Sequence, residues 1–302
     1  MTERTPEWLR ERERGNALAL SWISRLARSG PGWVTDPLIW LIALYFTLLP
    51  SRSSAAASRA YLRRILGRRP GLAERHRHVR TFAHVIVDRV RLLTDGIGGF
   101  SVRPVNAGAV VRCHAAGRGG VLLGAHFGSF EALRAFGDAL PGFRVRYLMF
   151  SANARQLAQV VDRLSPGTAA SVIPLDDGPS AMIEAREALS GGQFIAFLGD
   201  RMPVRNPRAE VTAAFLGGPV RLPRAPYHIA MLAEVPLFLC FAPRVGARSY
   251  DIEFSEIYDG APVAREERDA KCRELAQRYA HELERMCRRH PYNWFNFFDI
   301  WG

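Results

Sequence analysis

The segment Gly124-Ala125-His126-Phe127-Gly128-Ser129-Phe130-Glu131 sets a histidine and a carboxylate apart by four residues, directly behind the apolar run Val121-Leu122-Leu123. A histidine titrates near neutral pH, so an imidazole held by a carboxylate can act as a general base, worth about 10²–10⁴-fold in rate. The apolar run reads as a buried strand, and Glu131-Ala132-Leu133-Arg134-Ala135-Phe136 as the helix that follows it. Five residues of one helix turn through about 500°, leaving the two side chains about 140° apart. His126 and Glu131 can therefore meet only if His126 lies in the turn before the helix, and Gly128 permits such a turn.

The elements that must position this segment follow from hydrophobic periodicity. Residues 5–29, 54–67 and 72–94 read as helices, the last two broken at Pro70-Gly71. From about residue 107 short apolar runs alternate with helical patterns. Strands are expected at 109–113, 120–125, 144–150, 170–174, 193–199, 236–242 and 250–255. Helices are expected at 129–139, 152–164, 178–190, 222–234 and 264–289. The implied fold class is α/β, a mixed, largely parallel sheet flanked by helices. Residues 1–105 would form a helical N-terminal region with a membrane-associating segment at 37–50, and residues 106–302 the α/β domain.

His-x4-Glu after a buried strand resembles the catalytic motif of the lysophospholipid (glycerolipid) acyltransferase superfamily, and in particular its lipid A late-acyltransferase branch. Further blocks resemble that branch in order and spacing. Arg163 follows Arg146-Tyr147-Leu148-Met149-Phe150-Ser151-Ala152-Asn153; Phe197-Leu198-Gly199-Asp200-Arg201 stands where the branch has a strand ending in an Asp-centred motif. Phe215-Leu216-Gly217-Gly218-Pro219-Val220 resembles a later block, and Pro291-Tyr292-Asn293-Trp294-Phe295 the closing Pro-x-x-Trp. The resemblance covers residues 33–300. It implies that His126 is the base and Glu131 orients it, with no cofactor. The donor would be an acyl carrier protein or acyl-CoA thioester, and the acceptor a hydroxyl or amine on something lipid-like. Two departures stand out. The usual Asp-x-Asp is Asp200-Arg201-Met202 here, and the tail from Asn293 to Trp301 is unusually aromatic, resembling the sub-branch that accompanies aryl-polyene or pigment biosynthesis.

On this reading the backbone amides of Gly128 and Ser129, or Arg163, would stabilise the oxyanion. Asp200 and Arg201 would sit at the same sheet edge, because ligands bind at the carboxyl ends of parallel strands. Phe127, Phe130 and Trp294 would line the groove for the acyl chain.

The net charge is +12, and residues 1–90 carry +9 of it. Residues 37–50, Pro-Leu-Ile-Trp-Leu-Ile-Ala-Leu-Tyr-Phe-Thr-Leu-Leu-Pro, are strongly apolar, and residues 52–80 then hold nine arginines against Glu74 alone. An apolar segment beside a basic stretch suits an anionic membrane surface. The segment is short for a span, which needs about 20 residues, so an interfacial or re-entrant helix is expected. Nucleic-acid binding is disfavoured, because the basic run interleaves only Tyr61 among its arginines. No secretory signal is visible at residues 1–15, so the catalytic domain is expected to face the cytoplasm; the resemblance implies the cytoplasmic face of a bacterial inner membrane. The four cysteines have no Cys-x-x-Cys spacing, so no metal site is expected. The rival reading is a non-catalytic membrane-surface protein that uses the basic N-terminal third alone.

Overall fold

The computed structural model describes residues 32–149, 172–174, 178–201, 206 and 208–301. The expected helices 5–29 and 152–164 lie outside the described residues, as does Arg163.

Three helices come first: α1 (Gly32–Leu48), α2 (Arg52–Leu66) and α3 (Leu72–Thr94). Ser51 starts α2 by accepting the Ser54 amide at 3.2 Å, and Gly67 ends it in the left-handed conformation. The sheet-bearing part follows as β1 (Ser101–Val105), α4 (Gly108–Ala115), β2 (Gly120–Gly124), α5 (Phe130–Asp138), β3 (Val145–Met149) and β4 (Val172–Pro174). It continues with α6 (Pro179–Ser190), β5 (Phe194–Leu198), β6 (Glu210–Phe215), β7 (Gly218–Pro223), α7 (Ala225–Ala233), β8 (Leu237–Phe241), β9 (Arg244–Gly246), β10 (Ser249–Tyr258) and α8 (Arg268–Arg289).

The main sheet runs β1-β10-β8-β2-β5-β3-β4, with β9 paired to β10. The pairings β1–β10, β8–β2, β2–β5, β5–β3 and β3–β4 are parallel, while β10 runs antiparallel to β8 and β9. The chain is thus α/β with a mixed, mostly parallel sheet between helices. β2 is buried on both faces, as a central parallel strand must be. Val121 and Leu123 face a core shared with Tyr61 and Leu62 of α2 and with α6, α7 and α8; Leu122 faces a second core with Val85 of α3, Val110 of α4 and Leu133 of α5. The N-terminal helices α2 and α3 therefore clamp the sheet from opposite faces. The sheet itself begins before residue 106, because β1 pairs with β10.

Residues 109–113 are helix, not strand. Their apolar run has the length of a strand, but Val110 and Cys113 are buried while Val111 and Arg112 are exposed, a spacing of three that only a helix turns inward. The expected helix 222–234 is shorter, since its first residues complete the β6–β7 hairpin, whose Leu216-Gly217 turn has positive φ at both positions.

Candidate functional site

β2 ends at Gly124, and the chain turns through Ala125–Ser129 before α5 begins. His126 lies in this turn. The turn is fixed by backbone pairing to two other segments. Gly128 N donates to Asn293 O at 2.9 Å, Ser129 N to Ala242 O at 3.0 Å and Phe295 N to His126 O at 2.8 Å. Gly128 has φ +66°, and a Cβ there would come within 1.7 Å of the Ala242 carbonyl oxygen, so only glycine fits. Ser129 caps α5 by accepting the Ala132 amide at 3.3 Å.

The partner of His126 is Asp200, not Glu131. β5 lies beside β2 in parallel register, Gly124 opposite Leu198, so the residues just past both strand ends meet. His126 Nδ1 lies 2.8 Å from Asp200 Oδ1, and the His126 amide donates to Asp200 Oδ2 at 3.1 Å. Trp294 Nε1 donates to the same Oδ2 at 3.0 Å. Asp200 is wholly buried, whereas the His126 side chain is 32% accessible. Because the carboxylate can only accept, Nδ1 carries the proton and Nε2 remains the basic nitrogen. Burial pushes the Asp200 carboxyl up, but His126, Arg201 and Trp294 outweigh it and hold the group at about 2. For His126 burial dominates; it lowers the imidazole below its ordinary 6.5, Asp200 pulls it back up, and Arg201 and Arg89 lower it again.

Glu131 does other work. Its carboxylate lies 2.5 Å from Arg89 Nε of α3 and accepts from Ser129 Oγ at 3.3 Å; among the described residues no hydrogen bond or ion pair joins it to His126. A carboxylate in the first turn of α5 also suits the positive end of the helix dipole. The short sequence spacing marks a helix start that is clamped to α3.

Several other expected site residues are placed differently. The Gly128 and Ser129 amides are spent on Asn293 and Ala242, so neither is free for an oxyanion. Phe127 is buried edge-on against Phe241, and Trp294 is fully buried among Tyr61, Phe215 and Trp301. Neither ring reaches a groove. Trp294 instead holds Asp200 through its indole N–H. Its carbonyl accepts from His78 Nε2 of α3 at 2.8 Å, and His78 Nδ1 meets Ser58 Oγ of α2 at 2.9 Å. Phe130 is half-buried and edge-on to Tyr147. Arg201 donates to Phe295 O at 2.9 Å, with its guanidinium 4.8 Å from the Phe298 ring centre.

Asn296 escaped the sequence reading. It is completely buried one residue beyond the Phe295–His126 pairing, and neither its amide nitrogen nor its oxygen has a partner among the described residues. An unpaired buried polar group costs about 1–3 kcal/mol. A single Asn in an aromatic run carries no sequence signal for this.

No protein-family model matches the chain, and no curated protein is significantly similar to it.

Proposed function

We propose that the protein is a membrane-associated acyltransferase that moves an acyl chain from a carrier-protein or CoA thioester to a hydroxyl or amine of a lipid, glycolipid or pigment precursor. The reading keeps the resemblance to the late acyltransferases and exchanges the orienting carboxylate. The observation that carries it is the His126–Asp200 pair at the carboxyl ends of neighbouring parallel strands, with a partly open imidazole on a buried carboxylate that accepts three hydrogen bonds. His126 Nε2 takes the proton of the acceptor as its oxygen or nitrogen attacks the thioester carbonyl. The tetrahedral intermediate then expels the thiolate, which receives that proton from the imidazolium. Asp200 fixes the tautomer and stabilises the imidazolium. With the Gly128 and Ser129 amides spent, the oxyanion falls to the first-turn amides of α5 at Phe130 and Glu131.

The surface would be the cytoplasmic side of an anionic membrane, and α1 supports the attachment itself. Its inward positions are Thr35, Ile39, Ala43 and Thr47, while Trp33 is 80% exposed, Leu41 56% and Tyr45 58%. Among the described residues no single helix is long and apolar enough to cross a membrane; α1 and α2 meet at a 100° bend. An apolar outer face beside the arginines of α2 and α3 suits a helix lying in the interface.

The test is thiol release from acyl-CoA and acyl-carrier donors in the presence of extracted lipid, wild type against His126→Ala. The expected loss is at least about 10²-fold with the fold intact. A folded variant with near-native turnover removes the mechanism and leaves the non-catalytic membrane protein as the better reading.

A further inference from the structure

Two hollows adjoin along α3, one between it and α1, the other between it and the segments around Arg244 and Asn293. The larger, about 630 Å³, is lined by Asp36, Pro37, Trp40 and Leu41 of α1 and by Arg80 and His84 of α3. The smaller, about 190 Å³, shares Arg80 and His84 and adds Arg77, Arg244 and the Tyr292-Asn293 corner. They adjoin across Arg80 and His84, with the apolar α1 residues on one side and the further guanidinium groups on the other; the two together are called the cleft.

We propose that this cleft binds the phosphate headgroup of an anionic membrane phospholipid, at a site separate from His126. Three arginines line it against one carboxylate, the exposed Asp36. Arg244 is already held by Asp88 at 3.0 Å, and Arg77 lies 4.6 Å from the Tyr292 ring centre. Arg80, half-buried between the hollows, has no hydrogen bond or ion pair among the described residues. Guanidinium groups match phosphate oxygens with paired N–H donors and are weakly hydrated, which makes Arg80 and Arg77 the headgroup ligands. Burial, with Arg244 and Arg80 adding to it against Asp36 and Asp88, pushes His84 down to about 4, so it enters as a neutral donor.

The apolar wall decides for a lipid over a free anion. Trp40 and Leu41 line the cleft and also belong to the exposed outer face of α1. A headgroup seated on Arg80 would leave its acyl chains along that face. The cleft also backs onto the catalytic turn. Asn293 closes its floor, bonds the Arg244 backbone through its side chain at 2.8 and 3.3 Å, and accepts the Gly128 amide through its carbonyl. A lipid bound here would hold the His126 turn at a set height above the bilayer.

The inference rests on the membrane half of the functional reading and not on its chemistry, so the test measures binding alone. The full chain is floated with vesicles of phosphatidylcholine, with and without phosphatidylglycerol. Arg80→Gln is expected to weaken binding to the anionic vesicles about tenfold, and Arg265→Gln, the same charge change on an exposed segment elsewhere, less than about twofold. Binding to neutral vesicles should be the same for all three proteins. Soluble dihexanoyl phosphatidylglycerol should raise the wild-type unfolding midpoint more than inorganic phosphate at equal concentration, and should not raise that of Arg80→Gln. Equal losses for Arg80→Gln and Arg265→Gln would overturn the site in favour of net charge. Equal protection by inorganic phosphate and the short-chain lipid would overturn the lipid assignment. Should Arg80→Gln fail to fold, the exposed Arg77→Gln carries the same comparison.

Discussion

Around Asp200, polar groups from separate parts of the chain are removed from water and paired with one another: two donors from His126, the Trp294 indole and, one step out, His78 and Ser58. Along α1 the large apolar side chains Trp33, Leu41, Tyr45 and Phe46 turn out, while two threonines share the inward face with Ile39 and Ala43. Both arrangements cost free energy in an ordinary soluble fold. A buried carboxylate is tolerated only when donors compensate its charge, and the first region supplies three of them internally. The second has no internal solution among the described residues, and an apolar face of that kind calls for a cover. One region spends stability on a polar cluster that the described residues complete, and the other on an apolar surface that the described residues leave open.

The sharpest break in the comparison is at the dyad. Asp200→Asn keeps the shape but removes the charge that stabilises the imidazolium, so acyl transfer should fall by at least about 10²-fold. Because Asp200 raises the His126 pKa against burial, its loss should also move the acid limb of the rate profile, already below 6.5, further to the acid side. Glu131→Gln should cost less than about tenfold, through a looser Arg89 clamp on α5. A Glu131→Gln loss as large as that of Asp200→Asn would return the orienting role to Glu131.

Next in size is an effect on stability. Burial pushes His78 down to about 4. Its folded pKa lies below the unfolded value near 6.5, so the unfolded chain binds the proton more readily. The neutral His78 link between Ser58 and Trp294 should therefore be fully present above pH 6.5 and lost as the pH falls toward 4, at a cost on the order of 2–3 kcal/mol. Urea midpoints across that window measure it, and His78→Gln should flatten the slope. An unchanged slope in His78→Gln would assign the acid sensitivity to other groups, His84 first.

The strand–turn–helix around His126 was legible because a buried parallel strand is a continuous apolar run and its end is marked by Gly124 and Gly128. The partner was not, because sequence adjacency favoured Glu131, whereas the parallel register of β2 and β5 brings in Asp200 from 74 residues away. Asp200 was among the expected site residues, but as a substrate contact; its complete burial behind His126 leaves it to the imidazole instead. Likewise Trp294 aligned with the closing motif, yet its ring serves the carboxylate and the core. The segment 109–113 misled because five residues are too few to separate a period of two from one near three and a half. The outward polarity of α1 was hidden for a different reason. Composition marks 37–50 as apolar, but only the packing of Ile39 against Val87 of α3 shows which side faces the protein.

The smallest expected effect tests the second half of the comparison. If the outer face of α1 is covered by no other part of the fold, polar substitutions there remove no internal contact. Leu41→Ser and Tyr45→Ser should then change the urea-unfolding free energy by no more than about 0.5 kcal/mol, as for ordinary surface positions. Ile39→Ser, on the inner face, should cost several times more, because it strips a buried contact and leaves a hydroxyl in its place. The same two outer substitutions should weaken vesicle binding, since each removes apolar area that would otherwise enter the acyl boundary at about 25 cal/mol per Å². The pairing of the two measurements is the point. A loss of stability in water at Leu41 or Tyr45 equal to that at Ile39 would mean that this face is buried against the protein itself, and the contrast between the internally paired site and the externally covered helix would collapse.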